Sequence, residues 1–193
     1  MTAPQQAPRL KTMRIIWGAL CFSVVLYPMI LVAAGHAEPS VRQPESSFIA
    51  AITVVALVVA ALSVVMPKLL FPQMARGRAR LLISEDRAIT DQGQHGFRDV
   101  ASSVLTRTFN DPVAAENAAF GVYFTRLILE LALAEAVANF GFVLAFLGLG
   151  LKSTAPFFAV ALVLQLARYP TRDTVLRAFE DALGARFPGP RTE

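Results

Sequence analysis

Residues 126–150 read RLILELALAEAVANFGFVLAFLGLG. From Leu127 onward this run is apolar enough for the interior of a bilayer, and at about 1.5 Å per residue it makes roughly 36 Å of helix, enough to cross with some tilt. Yet Glu130 and Glu135 lie within it, Arg126 starts it, and Asn139 follows Glu135 by one turn. A carboxylate at the centre of a membrane helix costs on the order of 2.5–3.5 kcal/mol on insertion scales, so such groups face a protein interior or a wet cavity. The stretch therefore predicts a helix with company, and the rest of the chain reads as that company.

The composition agrees. Of 193 residues, 55% are hydrophobic and 17% charged, against about 25% charged in a soluble domain, and the mean hydropathy is +0.52. Three further apolar runs approach spanning length. Ile15–Ala34 (15–34) is the first span, with Trp17 near an interface and Pro28 as a kink. A second reading of this segment is a cleaved signal peptide, with Gly35-His36-Ala37 as the small-residue site. Residues 48–70 are the second span, 119–150 the third and 156–170 the fourth. The reading is thus all-α: an integral membrane four-helix bundle with a loop helix and an amphipathic C-terminal helix.

The polar segments complete the layout. Residues 1–14 form a lead without regular structure, 35–47 an outer loop and 151–155 an outer turn. The fourth span is short, so Ser153 or Thr154 is expected to cap it and Arg168 to reach back to the headgroups. Residues 71–118 are the one long loop. An apolar stripe at Phe97, Val100, Val104, Leu105 and Phe109 predicts an amphipathic helix near 97–109. Asp111-Pro112 has the chemistry of a helix start, a capping carboxylate followed by a residue whose missing N–H is no loss there. In the tail, 171–193, Thr171 opens a helix with Val175, Leu176, Phe179 and Leu183 on one face, and Gly184 ends it.

Charge sets the orientation. The two loops read as outer carry one cation each, Arg42 and Lys152, while the others lie in the lead, in 67–118, at the start of the third span (Arg126) and from Arg168 onward. The positive-inside rule places both termini and the long loop in the cytoplasm, in a cell inner membrane. Arginine outnumbers lysine 15 to 3, a usage that fits a GC-rich bacterial source. The pI near 9.7 then follows from topology, without a nucleic-acid partner: the cluster Arg76, Arg78 and Arg80 has no interleaved aromatic platform and suits anionic headgroups of the lipid bilayer.

The polar residues of the third span are the candidate site. Arg126 and Glu130, four apart, form a boundary ion pair. Glu135 lies five positions beyond Glu130, about 140° around the helix, so the two carboxylates do not share a face and make no paired acid/base or di-metal site. Glu135 and Asn139 do share one, and Gln165 on the fourth span is a candidate third member. Ala132, Ala134, Ala136, Ala138 and Gly141 let a neighbour approach closely. The single Cys21 permits no internal disulfide, and His36 and His95 stand apart from any ligand set.

The segment 132–143, ALAEAVANFGFV, resembles the carboxylate helix of the rotary ATP synthase c subunit, the proteolipid. That resemblance implies a proton or sodium site at Glu135. It departs from the family pattern in the long loop before the third span, in the missing Gly-rich partner helix and in Asn139, which replaces an apolar residue. The chain as a whole resembles small bacterial four-span proteins with an acidic third span. No Ser/His/Asp set, nucleophile elbow, Walker loop, CxxC or HExxH occurs. The sequence therefore predicts a non-catalytic membrane protein without cofactor or metal, an accessory, assembly or scaffold component that meets a protein partner or forms a homo-oligomer. The alternative is a proton- or ion-handling protein working through Glu135.

Overall fold

Asp111 starts the central helix. Its carboxylate Oδ1 accepts hydrogen bonds from the backbone N–H groups of Val113 and Ala114, each at 2.9 Å, and Pro112 occupies the first helical position. Two donors that a helix N-terminus leaves open are thereby satisfied. The computed structural model describes residues 6–39, 44–79, 83–84 and 107–187. Its elements are helices α1 (Gln6–Ala33) and α2 (Ser46–Ala79), strands β1 (Ile83–Ser84) and β2 (Arg107–Phe109), helices α3 (Pro112–Leu144), α4 (Leu151–Leu166) and α5 (Arg172–Leu183), and strand β3 (Ala185–Arg186). Three helices are long and apolar enough to cross a membrane: Pro8–Ala33, Ser46–Ala79 and Pro112–Leu149. The last of these joins α3 to a π-helical turn at Ala145–Leu149.

α3 packs against α1, α2, α4 and α5, while α1 packs also on α4, and α2 also on α5. Small residues make this possible. A side chain begun at Gly141 would lie 2.6 Å from Phe157 Cβ, and Ala134 and Ala138 are fully buried, so the α3–α4 approach is close. At the far end of this hairpin Gly148 and Gly150 take positive φ. A Cβ on Gly150 would lie 2.8 Å from the Pro39 nitrogen, and Leu151 N–H donates to Ala37 O at 2.9 Å, which ties the first loop to the hairpin.

Two apolar clusters fill the interior. One, at the arginine-rich end, joins Met13, Phe71, Phe120, Leu127, Leu131 and Phe179; the other, at the hairpin end, joins Val24, Leu31, Val137, Ala138, Phe158 and Ala161. α2 is the least enclosed of the long helices, and Val54, Val55, Leu57, Val58, Leu62 and Val65 face outward. Such a face suits lipid tails rather than water.

Several sequence expectations are corrected. The lead is helical from Gln6 because Pro8–Arg14 holds no helix breaker beyond its first turn, where proline is tolerated. There is no separate turn at 151–155: α4 begins at Leu151 immediately after Gly150, without a side-chain cap. Thr154 is instead buried, its hydroxyl donating back to Gly150 O and Leu151 O. Of the helix expected near 97–109, residues 107–109 are a strand, and 97–106 lie outside the described residues, as does Arg80. β1 pairs antiparallel with β2, and β2 parallel with β3, so an all-helical chain carries one small sheet. Phe109 stacks between Phe179 at 5.9 Å and Phe187 at 4.6 Å. Thr171 caps α5 and Gly184 ends it at φ 64°, but the apolar face of α5 is spent inside the chain. Val175 and Phe179 are fully buried in the first cluster, which at about 1.5–3 kcal/mol per large side chain makes the tail helix structural.

Candidate functional site

The polar groups of the spans fall between the two clusters. On α1, Ser23 lies between Leu20 of the first cluster and Val24 of the second; on α3, Glu130 and Glu135 lie around the same boundary; on α4, Gln165 follows Ala161. Glu130 is 6% exposed. Its Oε1 pairs with Arg126 Nε at 2.8 Å and its Oε2 with Arg168 Nε at 3.2 Å. Arg168 reaches further. Nη1 donates to the Glu130 backbone oxygen at 3.1 Å, and Nη2 donates to Ser63 O at 2.8 Å and Ser63 Oγ at 3.3 Å. One guanidinium thus joins α2, α3 and the exit of α4.

The chain after α4 aims that arginine inward. Pro170 cannot continue the helix, and α1 grips the turn. Trp17 meets Tyr169 edge-on at 5.0 Å, the Arg14 guanidinium sits 5.3 Å over the Tyr169 ring, and Arg14 Nε donates to Pro170 O at 3.3 Å. Arg168 therefore does not reach out to headgroups as the sequence suggested; its side chain is 12% exposed. The boundary pair of Arg126 and Glu130 is thus part of a larger cluster of two guanidiniums and one carboxylate. The Arg126 charge is further met by the faces of Phe71 at 5.0 Å and Tyr123 at 5.8 Å.

Glu135 is held differently. Ser23 Oγ donates to its Oε1 at 2.8 Å and Tyr27 Oη donates to the same oxygen at 2.9 Å. Ser23 and Tyr27 are four apart on α1 and share a face. The Ser23 hydroxyl has one proton, and it is also 2.7 Å from Leu20 O, so Tyr27 is the dedicated donor. Tyr27 is itself packed on Phe142 at 5.3 Å. Glu135 is half-buried, and Asn139 is exposed, with its side chain beside the Tyr27 hydroxyl.

The three residues singled out by sequence are not brought together. Asn139 makes no hydrogen bond with Glu135 among the described residues. Gln165 is fully buried, yet neither its Oε1 nor its Nε2 has a partner; it contributes its backbone oxygen, which accepts from Trp17 Nε1 at 2.8 Å. The residues that sequence reasoning missed are Ser23, Tyr27, Ser63 and Arg168 as partners. The signals were slight: a hydroxyl pair at helical spacing on α1, a lone serine in a valine-rich run, and an arginine at the end of a short span.

At the arginine-rich end Glu116 of α3 pairs with Arg172 of α5 at 2.9 Å, and Phe187 N–H donates to Glu180 Oε1 at 2.9 Å. Among the described residues no group of three or more His, Cys, Asp or Glu side chains is placed to hold a metal ion. Comparisons of the chain with protein-family models, with curated proteins and with solved structures found no match.

Proposed function

We propose that this chain is a non-catalytic integral membrane protein, a four-span bundle of a cell inner membrane with its arginine-rich end in the cytoplasm, acting as an accessory, assembly or scaffold component. The observation that carries this reading is the Glu130 cluster. Charges that work inside membranes face wet pathways and change partners. Here both carboxylate oxygens and the backbone oxygen of Glu130 are taken up in joining α2, α3 and the end of α4. The open side of α3 then supplies the contact surface. Thr125, Ala132, Asn139 and Phe146 recur every seven residues and are all exposed. The Asn139 amide, beside the Tyr27 hydroxyl, carries more donors and acceptors than one hydroxyl can meet, and Asn139 of a second copy offers both.

A second reading has its own observation. Both hydroxyls go to Oε1 of Glu135, so Oε2 of this half-buried carboxylate, which has no hydrogen-bond partner among the described residues, can exchange a proton or meet an ion, as the resemblance to the c subunit implies. One preparation decides between them. In a mild detergent, light scattering should give a mass above one 20.9 kDa chain, falling to one chain for Asn139→Leu. In liposomes carrying a pH gradient the wild type should leak no more than protein-free vesicles. Proton flux that Glu135→Gln removes would replace the scaffold reading with the second one. Reporters fused at Ser40 and Ser153 should read outside and one at Gln92 inside; the reverse would overturn the orientation.

A further inference from the structure

An open cavity lies at the arginine-rich end, between the start of α1, the end of α2 and the start of α3. It has a volume of about 620 Å³ and its walls include Arg9, Thr12, Met13, Arg78, Phe120 and Phe124. Arg9 Nη1 lies 3.4 Å from Asn117 O, and Arg78 Nη1 lies 3.8 Å from the position a Cβ would take on Gly121. Asn117 and Gly121 are one turn apart on the same face of α3, so the two arginines approach points about 6 Å apart along that helix. Among the described residues neither forms an ion pair with a carboxylate, and none that lines the cavity is acidic. Two forked donors at that separation fit the oxygens of a single phosphate.

The rest of the cavity is apolar. Met13 and Phe120 are each 2% exposed and form its floor with Phe124 beside them. The position is also that of a membrane surface. Trp17 and Tyr169, an aromatic pair of the kind found at headgroup level, sit 5.0 Å apart, and Thr12 is about 7 Å beyond Trp17 along α1. That is the depth of the polar headgroup layer. We infer that this cavity is a binding site for one anionic phospholipid, its phosphate held between Arg9 and Arg78 and the upper part of an acyl chain laid along Phe120 and Phe124. The site is narrower than a general attraction of the arginine cluster for headgroups, because Arg76 is exposed on the same helix end and does not line it.

The test uses the full chain in nanodiscs of phosphatidylcholine, with short-chain phosphatidylglycerol added and bound lipid counted by native mass spectrometry. The wild type should hold one phosphatidylglycerol in preference to phosphatidylcholine. Arg9→Gln with Arg78→Gln should weaken that binding about thirtyfold, each arginine at a charged membrane surface being worth roughly fivefold. Gly121→Leu keeps both charges, fills the cavity and should also abolish the preference. Arg76→Gln should leave it unchanged. An equal loss with Arg76→Gln, or no loss with the double variant, would mean diffuse attraction and overturn the site. Glycerol phosphate without acyl chains should fail to compete at matched concentration. If it competes fully, the ligand is a soluble phosphate compound and the lipid assignment is wrong.

Discussion

Glu130 and Glu135 sit five residues apart on one helix and solve the same problem in opposite ways. Glu130 is buried and takes a guanidinium on each oxygen. Glu135 is half-buried and has hydroxyl partners alone. The first arrangement is rigid, since removing one partner strands a buried charge. The second is soft, because a hydroxyl serves a protonated or an ionised carboxyl equally well. The comparison teaches that polar depth in a membrane helix is no guide to role; the kind of partner is.

The comparison breaks first at Arg168. Arg168→Ala leaves Ser63 O without its donor and Glu130 with one cation, and should cost about 3–5 kcal/mol, read as a fall in the unfolding midpoint in mixed micelles. A loss under about 1 kcal/mol would show that Arg126 alone suffices. Next is Gln165. Its buried amide has no partner, so Gln165→Met, of similar length, should stabilise by about 1–3 kcal/mol. A destabilisation would reveal an ordered water between the helices. The smallest effect belongs to Glu135. Interhelical hydrogen bonds in membranes average about 0.6 kcal/mol, so Glu135→Gln and Tyr27→Phe should each change stability by no more than that. A double-mutant cycle should give a coupling of the same size; several times as much would place a charge on Glu135 that Tyr27 holds.

Local chemistry was readable in the sequence. Asp111-Pro112 and Thr171 announce helix starts, and Gly184 a stop, because each acts on backbone groups within a turn of itself. That α3 would be crowded was legible in its alanines and Gly141. What was not legible depends on distant packing. Arg168 at the end of a short span reads as a headgroup anchor until Tyr169 and Pro170 are seen gripped by Trp17 and Arg14. Gln165 and Asn139 looked like partners of Glu135 because amides pair with carboxylates, but α1, not α4, brings donors to that oxygen. The apolar stripe over 97–109 fits a helical period, yet residues 107–109 pair with strands on both sides, a tertiary choice that periodicity does not record.

The place of Arg168 in the chain also sets a clock. The sequence is made from its N-terminus, and Arg168 follows its partner Glu130 by 38 residues. At about 5–20 residues per second, roughly 2–8 s pass between the two. Through that interval α2 is already made and α3 is being completed, while the guanidinium that fastens them is still to come. The nascent bundle must therefore wait in a loosened state, with Arg126 as the sole counter-charge of Glu130. Closure arrives late, with the end of α4, and the strand that follows α5 completes the sheet last of all.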